Sequence, residues 1–153
     1  MKTQIANYII RRANYPDISS MIKLLRILFS LESDFEADEL TQQSGLGMML
    51  CDGTDRCIMV AEQNQQIVGM CSAQILVSTA EGGRVALIED LVVEDAFRGQ
   101  GIGKGLLLAI EGWSIAQDVR RLQLLADRNN TRALEFYKSM NWKYTQLKCL
   151  RKK

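Results

Sequence analysis

Four glycines and two cations lie close together in the stretch VVEDAFRGQGIGKG, residues 92–105. The stretch predicts a strand that ends near Val93, followed by a tight turn and a helix that begins among the glycines. The first N–H groups of a helix have no partner inside it, and together with the helix dipole they bind anions. The glycines would let a pyrophosphate approach the backbone, and Arg98 and Lys104 would add positive charge. The alternative interpretation is an ordinary glycine-rich turn in solvent.

Two well-known phosphate-binding motifs do not fit this stretch. The Walker A motif, G-x-x-x-x-G-K-[ST], fails because Arg98 stands five residues before Gly103 and Gly105 follows Lys104. The dinucleotide motif G-x-G-x-x-G fails because Lys104 or Leu106 occupies the position of its third glycine. The sequence therefore disfavours nucleoside triphosphate and dinucleotide binding.

Proton transfer in this chain has to use groups other than imidazole, because the sequence contains no histidine. The four cysteines show no C-x-x-C spacing and are interpreted as reduced, inert thiols, so no metal site is predicted. Glu89 and Asp90 interrupt a strand of aliphatic residues, so these carboxylates are either exposed at its rim or functional. Strict alternation along that strand would place Glu89 on the same face as Leu87, Leu91 and Val93.

Charge is distributed unevenly along the chain, although the net charge is only +1. Residues 1–97 carry 7 basic and 14 acidic side chains, a net −7, whereas residues 98–153 carry 12 and 4, a net +8. The second part therefore favours an anionic ligand and the first part a cationic one. Nucleic acid is disfavoured because the basic residues are scattered and are not interleaved with aromatic residues.

The length of 153 residues predicts a single domain, residues 1–153, of a compact soluble protein. The N-terminal apolar run IANYII is too short for a signal peptide or a membrane span, so we expect no membrane partner and a cytoplasmic location. The predicted element order is β-α-α-β-β-β-α-β-α-β, an α/β fold with a mixed, mostly antiparallel sheet flanked by helices. The predicted strands are 3–13, 57–63, 66–77, 84–93, 121–127 and 142–150, and the predicted helices are 16–30, one starting near Ser33, 101–117 and 130–140.

The residues at and after this glycine-rich turn resemble the GCN5-related N-acetyltransferase (GNAT) family. The family signature [QR]-x-x-G-x-[GA] matches residues 98–103, and NNTRALEFYKSMNW is similar to the pattern N-x-x-A-x-x-F-Y-x-x-x-G-F. Asn141 and Trp142 replace the usual glycine and phenylalanine, but asparagine also tolerates the left-handed conformation that ends helices. The resemblance spans residues 5–150 and implies the GNAT fold with acetyl-CoA as cosubstrate.

The resemblance also implies roles for particular residues. Tyr137 would protonate the leaving thiolate, although its spacing alone predicts a core residue. Asn130 would contact CoA or cap its helix. Glu89 would take the proton of the amine, directly or through water, while Asp90 orients the substrate. A backbone N–H near Leu91 or Val93 would stabilise the oxyanion, and a bulge there would separate this strand from residues 121–127. The implied cofactor-binding residues are Leu91, Val92, Val93, Arg98, Gly99, Gln100, Gly101, Ile102, Gly103, Lys104, Asn130 and Tyr137.

An acidic segment precedes the second predicted helix and contains Glu32, Asp34, Glu36, Asp38 and Glu39. In the family this region borders the acceptor site, so Glu32 or Asp34 is predicted to hold a cationic group of a small amine. A solvated acidic helix start is the alternative. The stretch IED is also similar to glucosamine-phosphate acetyltransferases, but residues 27–55 contain no lysine or arginine that could hold a phosphosugar.

The predicted function is acetyl transfer from acetyl-CoA to a primary amine, by direct attack in a ternary complex and without a metal. A protein N-terminal or lysine acetyltransferase and a noncatalytic acyl-CoA-binding module are the alternatives. A homodimer is also predicted.

Overall fold

A mixed β-sheet forms the centre of the protein in the computed structural model, which describes residues 7–51 and 53–153. Within those residues its five strands lie in the order β1-β2-β3-β4-β5; β4 and β5 pair in parallel and the other neighbours pair antiparallel. This agrees with the predicted fold class. The strands are β1 (Ile9–Arg12), β2 (Arg56–Gln63), β3 (Gln66–Ser78), β4 (Gly83–Val93) and β5 (Leu122–Leu124), and the helices are α1 (Ile18–Leu31), α2 (Glu39–Leu50), α3 (Ile102–Ala116) and α4 (Thr131–Ser139).

The helices cover both faces of the sheet because each presents an apolar side to it. Residues of α1 and α2 pack with the strands in one buried cluster, which includes Met21, Leu25 and Leu46. Residues of α3 form the centre of the other cluster, which Phe136 and Tyr137 of α4 also contact. No helix in the described part of the chain is long and apolar enough to cross a membrane.

Strand β4 contains a bulge that changes which side chains face each layer. The β3 register passes from Glu89 to Val92 across a shift between Met70 and Ser72, and Asp90 has a φ of 56°. Ile88 packs in the α3 cluster together with Leu91 and Val93, at odd spacings that regular alternation would forbid. The prediction that Glu89 shares a face with Leu91 and Val93 is therefore wrong, because the bulge reverses the alternation between them.

The same bulge lies where β4 and β5 separate. Residues Ala86, Leu87 and Ile88 pair with Leu122–Leu124, and the parallel ladder described by the structure ends there. The predicted strand 121–127 is thus shortened to three residues. The family resemblance implies both the bulge and the separation of the two strands, and the structure confirms them.

Two predicted elements differ from the structure. Helix α2 begins at Glu39 and not near Ser33, because Asp38 caps it by accepting a hydrogen bond from the Thr41 N–H at 2.8 Å. Residues 142–150 form no strand, and Tyr144, Leu147 and Leu150 are at least 80% exposed. Favourable residue types are not sufficient for a strand, which also needs a neighbouring strand to satisfy its backbone. Residues 3–6 of the first predicted strand lie outside the described residues.

A partly buried ion pair joins β1 to the start of α1. The guanidinium of Arg11 donates to both carboxylate oxygens of Asp17, at 2.8 and 2.9 Å, and the Asp17 side chain is 8% exposed. Asp17 also accepts from the Asn14 N–H at 2.9 Å. These hydrogen bonds lower the pKa of Asp17 below its ordinary value, and those from Arg11 have the largest effect.

We expect Asp17→Asn to lower the free energy of unfolding at pH 7 by about 1 to 3 kcal/mol, because it leaves Arg11 without its buried anion. A carboxyl with a lowered pKa stabilises the fold above its unfolded pKa, and this contribution disappears as the pH falls through the folded value. The difference from the native sequence should therefore shrink below about pH 4. Urea denaturation at both pH values measures it, with the exposed Asp55 of the Arg84–Asp55 pair as control: Asp55→Asn should cost less than about 1 kcal/mol.

Candidate active site

A cleft of about 710 Å³ opens between the end of β4, the start of α3 and helix α4. It lies where β4 and β5 separate, so the bulge creates room for it. Its walls combine backbone, apolar side chains and a few cations. The lining residues are Leu28, Leu31, Leu91, Val92, Val93, Phe97, Arg98, Gly99, Gly101, Ile102, Gly103, Lys104, Asp127, Asn129, Asn130, Arg132, Ala133, Phe136 and Tyr137.

The first turn of α3 forms one wall of the cleft. Gly101 is the N-cap and has a φ of 81°, a left-handed conformation that favours glycine. The Tyr8 hydroxyl donates to the Gly101 carbonyl at 3.1 Å, and this hydrogen bond ties the turn to the chain that leads into β1. The N–H groups of the first turn lack partners within the helix, so this wall presents donors and the positive end of a dipole.

Gly103 keeps the wall open. A Cβ built on Gly103 would lie 3.8 Å from atoms of Phe136 and Val93, an ordinary contact distance. Protein packing alone would thus accept a small side chain here, yet any larger one would enter the cleft. The bare backbone at the start of a helix fits close approach of a phosphate group, which is what CoA would bring.

Arg98 has a second role that the sequence did not predict. Its Nε donates to the Val93 carbonyl at 3.0 Å, and its Nη1 lies 2.7 Å from the Asp95 carboxylate. Arg98 therefore holds the turn between β4 and α3 in shape. Part of its charge is neutralised by Asp95, so Lys104 and Arg132 contribute the other positive charge at this end of the cleft.

Helix α4 forms the opposite wall and its ends are fixed by asparagines. The Asn130 side chain accepts from the Ala133 N–H at 3.1 Å, so the predicted cap is confirmed, and Asn130 also lines the cleft. Asn141 follows the helix with a φ of 68°, in the left-handed conformation expected for the family's glycine position.

Tyr137 projects from α4 into an aromatic group. Its ring packs edge-on against Phe136 and Trp142, with centroid distances of 5.3 and 6.1 Å. Burial strongly raises the pKa of its phenol, with smaller contributions from Cys71 and Glu32. Tyr137 therefore stays protonated at neutral pH, as a proton donor must.

Acidic side chains from three parts of the fold converge beside the cleft. Burial raises the pKa of Glu32, which follows the last residue of α1, and neighbouring negative charges raise it further. Those charges, in decreasing order, are Asp90, Asp127, Asp34 and Glu89. Burial and then Glu89 also raise the pKa of Asp90, to about 6. Among the described residues, no three histidine, cysteine or acidic side chains are arranged to hold a metal ion.

The predicted site residues are thus largely brought together. Eleven of the twelve residues expected to bind CoA line the cleft; the other one, Gln100, is exposed and does not line it. Glu32, Asp34, Glu89 and Asp90 do not line the cleft itself; they form the neighbouring acidic cluster.

Several lining residues were not predicted from the sequence. Ala133 and Phe136 share the apolar side of α4 with Tyr137, so helical spacing could have identified them. Leu28, Leu31 and Asp127 come from distant parts of the chain, and no local pattern marks them.

Comparisons with known proteins place this geometry among acetyltransferases. A family model described as the acetyltransferase (GNAT) family matches residues 20–142. A putative acetyltransferase from Agrobacterium tumefaciens is 22% identical with a TM-score of 0.81, over 95% of this chain and 99% of that one. An aminoglycoside N-acetyltransferase solved in complex with CoA is 17% identical with a TM-score of 0.82, over 95% and 94%. Glucosamine-6-phosphate N-acetyltransferase from Arabidopsis thaliana is 20% identical with a TM-score of 0.72, over 95% and 97%.

Because the solved structures are less than 25% identical to this chain, they show its fold alone. Membership in the family is shown by the match to the family model. The family consists of acetyltransferases that use acetyl-CoA, a cosubstrate whose phosphates suit the open glycine wall of α3. This chain belongs to the acetyltransferase (GNAT) family.

Proposed function

We propose that this protein transfers the acetyl group of acetyl-CoA to a primary amine of a small cationic molecule, by direct attack in a ternary complex. Residues 1–153 would act as one domain. The observation that carries the proposal is the acidic cluster around Glu32, which adjoins a cleft whose other end is built to hold an anion. The two ends suit the two substrates: CoA phosphates at α3 and a cation at the cluster.

The cluster favours a cation because its carboxylates repel one another. Glu32 is half-buried and lies near Asp90, Asp127 and Asp34, so ionising all of them at once is costly. A bound ammonium group would relieve this repulsion and gain charge-assisted hydrogen bonds. Polyamines, amino sugars and amino acid derivatives carry such groups.

The relatives support an amine acceptor without deciding which one. One solved relative is an aminoglycoside N-acetyltransferase, and aminoglycosides carry several amines. Another acts on glucosamine 6-phosphate, but the absence of lysine and arginine from residues 27–55 argues against a phosphosugar here.

The reaction needs a proton acceptor, an oxyanion donor and a proton donor. The acetyl thioester comes from bound acetyl-CoA. We assign removal of the amine proton to the Glu89–Asp90 pair, and protonation of the departing thiolate to the Tyr137 hydroxyl. A backbone N–H at Leu91 or Val93 would stabilise the oxyanion. The bulge supports Leu91 in this role because it removes Leu91 from the β3 register within the described ladder, whereas Val93 pairs with Gly69.

Cytoplasmic location and a homodimer remain predictions. The apolar side chains of Tyr144, Leu147 and Leu150 are exposed on the segment after α4, and β5 pairs with β4 along one side, so these surfaces favour association between two copies.

A screen of amines tests the proposal. We expect acetylation of at least one small polycation among polyamines, amino sugars, aminoglycosides and amino acid derivatives, measured by CoA release and product mass. Glu32→Gln should then raise the acceptor KM about tenfold or more while the acetyl-CoA KM stays constant, because a partly buried charge-assisted bond is lost. Asp34→Asn, at an exposed position, should have a smaller effect.

Glu36→Gln is the matched control, since Glu36 lies in the same acidic segment, is exposed and is not among the charges that act on Glu32. Acetylation of peptides alone would replace the proposal with a protein acetyltransferase. CoA binding without consumption of acetyl-CoA would indicate a noncatalytic module.

Gly103→Glu tests the CoA wall. The new side chain would enter the cleft with a negative charge where the phosphates should lie, and we expect CoA affinity to fall at least about tenfold by calorimetry. Gly112→Glu places the same side chain on α3, where a Cβ would have open space, and should leave affinity unchanged. Equal CoA affinity in both variants, with equal melting temperatures, would refute the assignment.

Tyr137→Phe removes only the phenolic hydroxyl. Positioned general acids contribute about 10²- to 10⁴-fold, so kcat should fall in that range while CoA affinity and the melting temperature change little. Tyr144→Phe, at an exposed tyrosine, provides the control. Full turnover in Tyr137→Phe, with chemistry shown to limit the rate, would make Tyr137 a packing residue only.

A further inference from the structure

Asp90 is held in a conformation that a strand residue rarely adopts. Its φ of 56° is left-handed, a conformation that costs a non-glycine residue free energy, although aspartate tolerates it better than most. Such strain persists only where the surroundings impose it, and it is concentrated at functional sites. The bulge turns the Asp90 carboxyl towards β3 instead of leaving it in regular alternation.

The partner of Asp90 is the buried hydroxyl of Ser72 on β3. Ser72 is 4% exposed, and its Oγ lies 3.2 Å from Asp90 Oδ2 and 3.1 Å from the Glu89 carbonyl oxygen. A serine hydroxyl has one proton to donate and lone pairs to accept with. It therefore serves either acceptor, but only one of them at a time.

This arrangement satisfies Asp90 in both of its protonation states. When Asp90 is ionised, the Ser72 hydroxyl donates to the carboxylate. When Asp90 is protonated, its own O–H can donate to Ser72 Oγ, and the Ser72 proton turns to the Glu89 carbonyl. Ser72 and Asp90 keep a hydrogen bond to each other in either state, so the proton can be gained and lost at little cost.

We propose that Asp90 is the group that accepts the proton of the acceptor amine, and that Ser72 is a positioning residue that holds Asp90 through both protonation states. This inference rests on the proposed function and divides the roles within the Glu89–Asp90 pair. The ammonium proton passes to Asp90 Oδ, and the freed amine lone pair forms a bond to the acetyl carbon. The carbon–sulfur bond then breaks, the thiolate sulfur takes the Tyr137 proton, and the second proton that the nitrogen loses on becoming an amide returns to the Tyr137 phenolate. Asp90 gives its proton to solvent once the products leave.

The groups around Asp90 agree with this division. Glu89 precedes it on β4 and is exposed, so it acts on Asp90 mainly through its charge. Glu32 faces it from the end of α1, and Cys71 faces it from β3 with a thiol whose pKa is strongly raised by burial. Burial and Glu89 bring the pKa of Asp90 to about 6, close to neutral pH, whereas the Ser72 bond acts in the opposite direction.

The test is the pH dependence of kcat/KM for the best amine in Ser72→Ala. Loss of a hydrogen bond to the charged form raises the pKa of Asp90, so the acidic limb of the profile should move to higher pH. The rate relative to the native enzyme should be about three- to tenfold lower at pH 6 than at pH 8. Ser72→Thr keeps the hydroxyl and should restore the native profile.

Ser114→Ala is the matched control, because Ser114 is equally buried on α3 but lies away from the cleft; its profile should not move. A second readout is the Asp90 pKa by carboxyl carbon NMR in the enzyme without substrates, which should rise in Ser72→Ala. The inference would be overturned if neither the acidic limb of the pH profile nor the Asp90 pKa moves in Ser72→Ala. It would also be overturned if the acidic limb moves in Glu89→Gln but not in Asp90→Asn. Either result would leave acetyl transfer intact. If the native enzyme acetylates no amine, the proposed function fails, and this assignment fails with it.

Discussion

Asp90 takes a left-handed backbone conformation in the middle of β4, and much of the site follows from that one irregularity. The bulge reverses the alternation of side chains, so Leu91 and Val93 join the α3 cluster on the same side as Ile88. It also marks the point where β4 leaves β5 and the cleft opens. Regular pairing along the whole of β4 would have closed the slot and paired the backbone that now lines the cleft.

The cleft is electrostatically polar along its length. One end has the free N–H groups of α3 with Lys104 and Arg132, and the other adjoins the carboxylates around Glu32. This polarity explains the division of charge along the chain, where residues 1–97 are net acidic and residues 98–153 net basic. The proposed function requires both signs, separated by the reacting groups, because it brings an anionic cosubstrate and a cationic acceptor to one place.

Local signals predicted most of the secondary structure because their causes are local. Asn64 and Gln65 adopt φ values of 51° and 62° between β2 and β3, which is the turn that a two-residue hairpin requires. Asn130 caps α4 through its own side chain, and Asn141 ends it in the left-handed conformation. Such features depend on a few neighbouring residues, so spacing and residue type are enough to predict them.

Predictions failed where the outcome depended on a distant partner. The sequence predicts a strand over residues 142–150, but a strand exists only when another strand satisfies its backbone, and the chain places no such neighbour beside them in the described structure. Helix α2 begins at Glu39 and not near Ser33 because the Asp38 carboxylate caps it by accepting a hydrogen bond from the Thr41 N–H. Arg98, expected to face a ligand, also binds the Val93 carbonyl, which spacing could not reveal.

The sequence by itself determined the glycine-rich start of α3, the caps of α4, the candidate carboxylates and the family. Each of these features depends on residues that are adjacent or one helical turn apart. Only the tertiary structure decided that Glu32 lies close enough to Asp90 and Asp127 to feel their charges, and that Ser72 holds the Asp90 carboxyl. These interactions join β3, β4, the end of α1 and the segment before α4. They depend on sheet register and on one bulge, and a shift of a single residue in the pairing of β3 with β4 would separate Ser72 from Asp90.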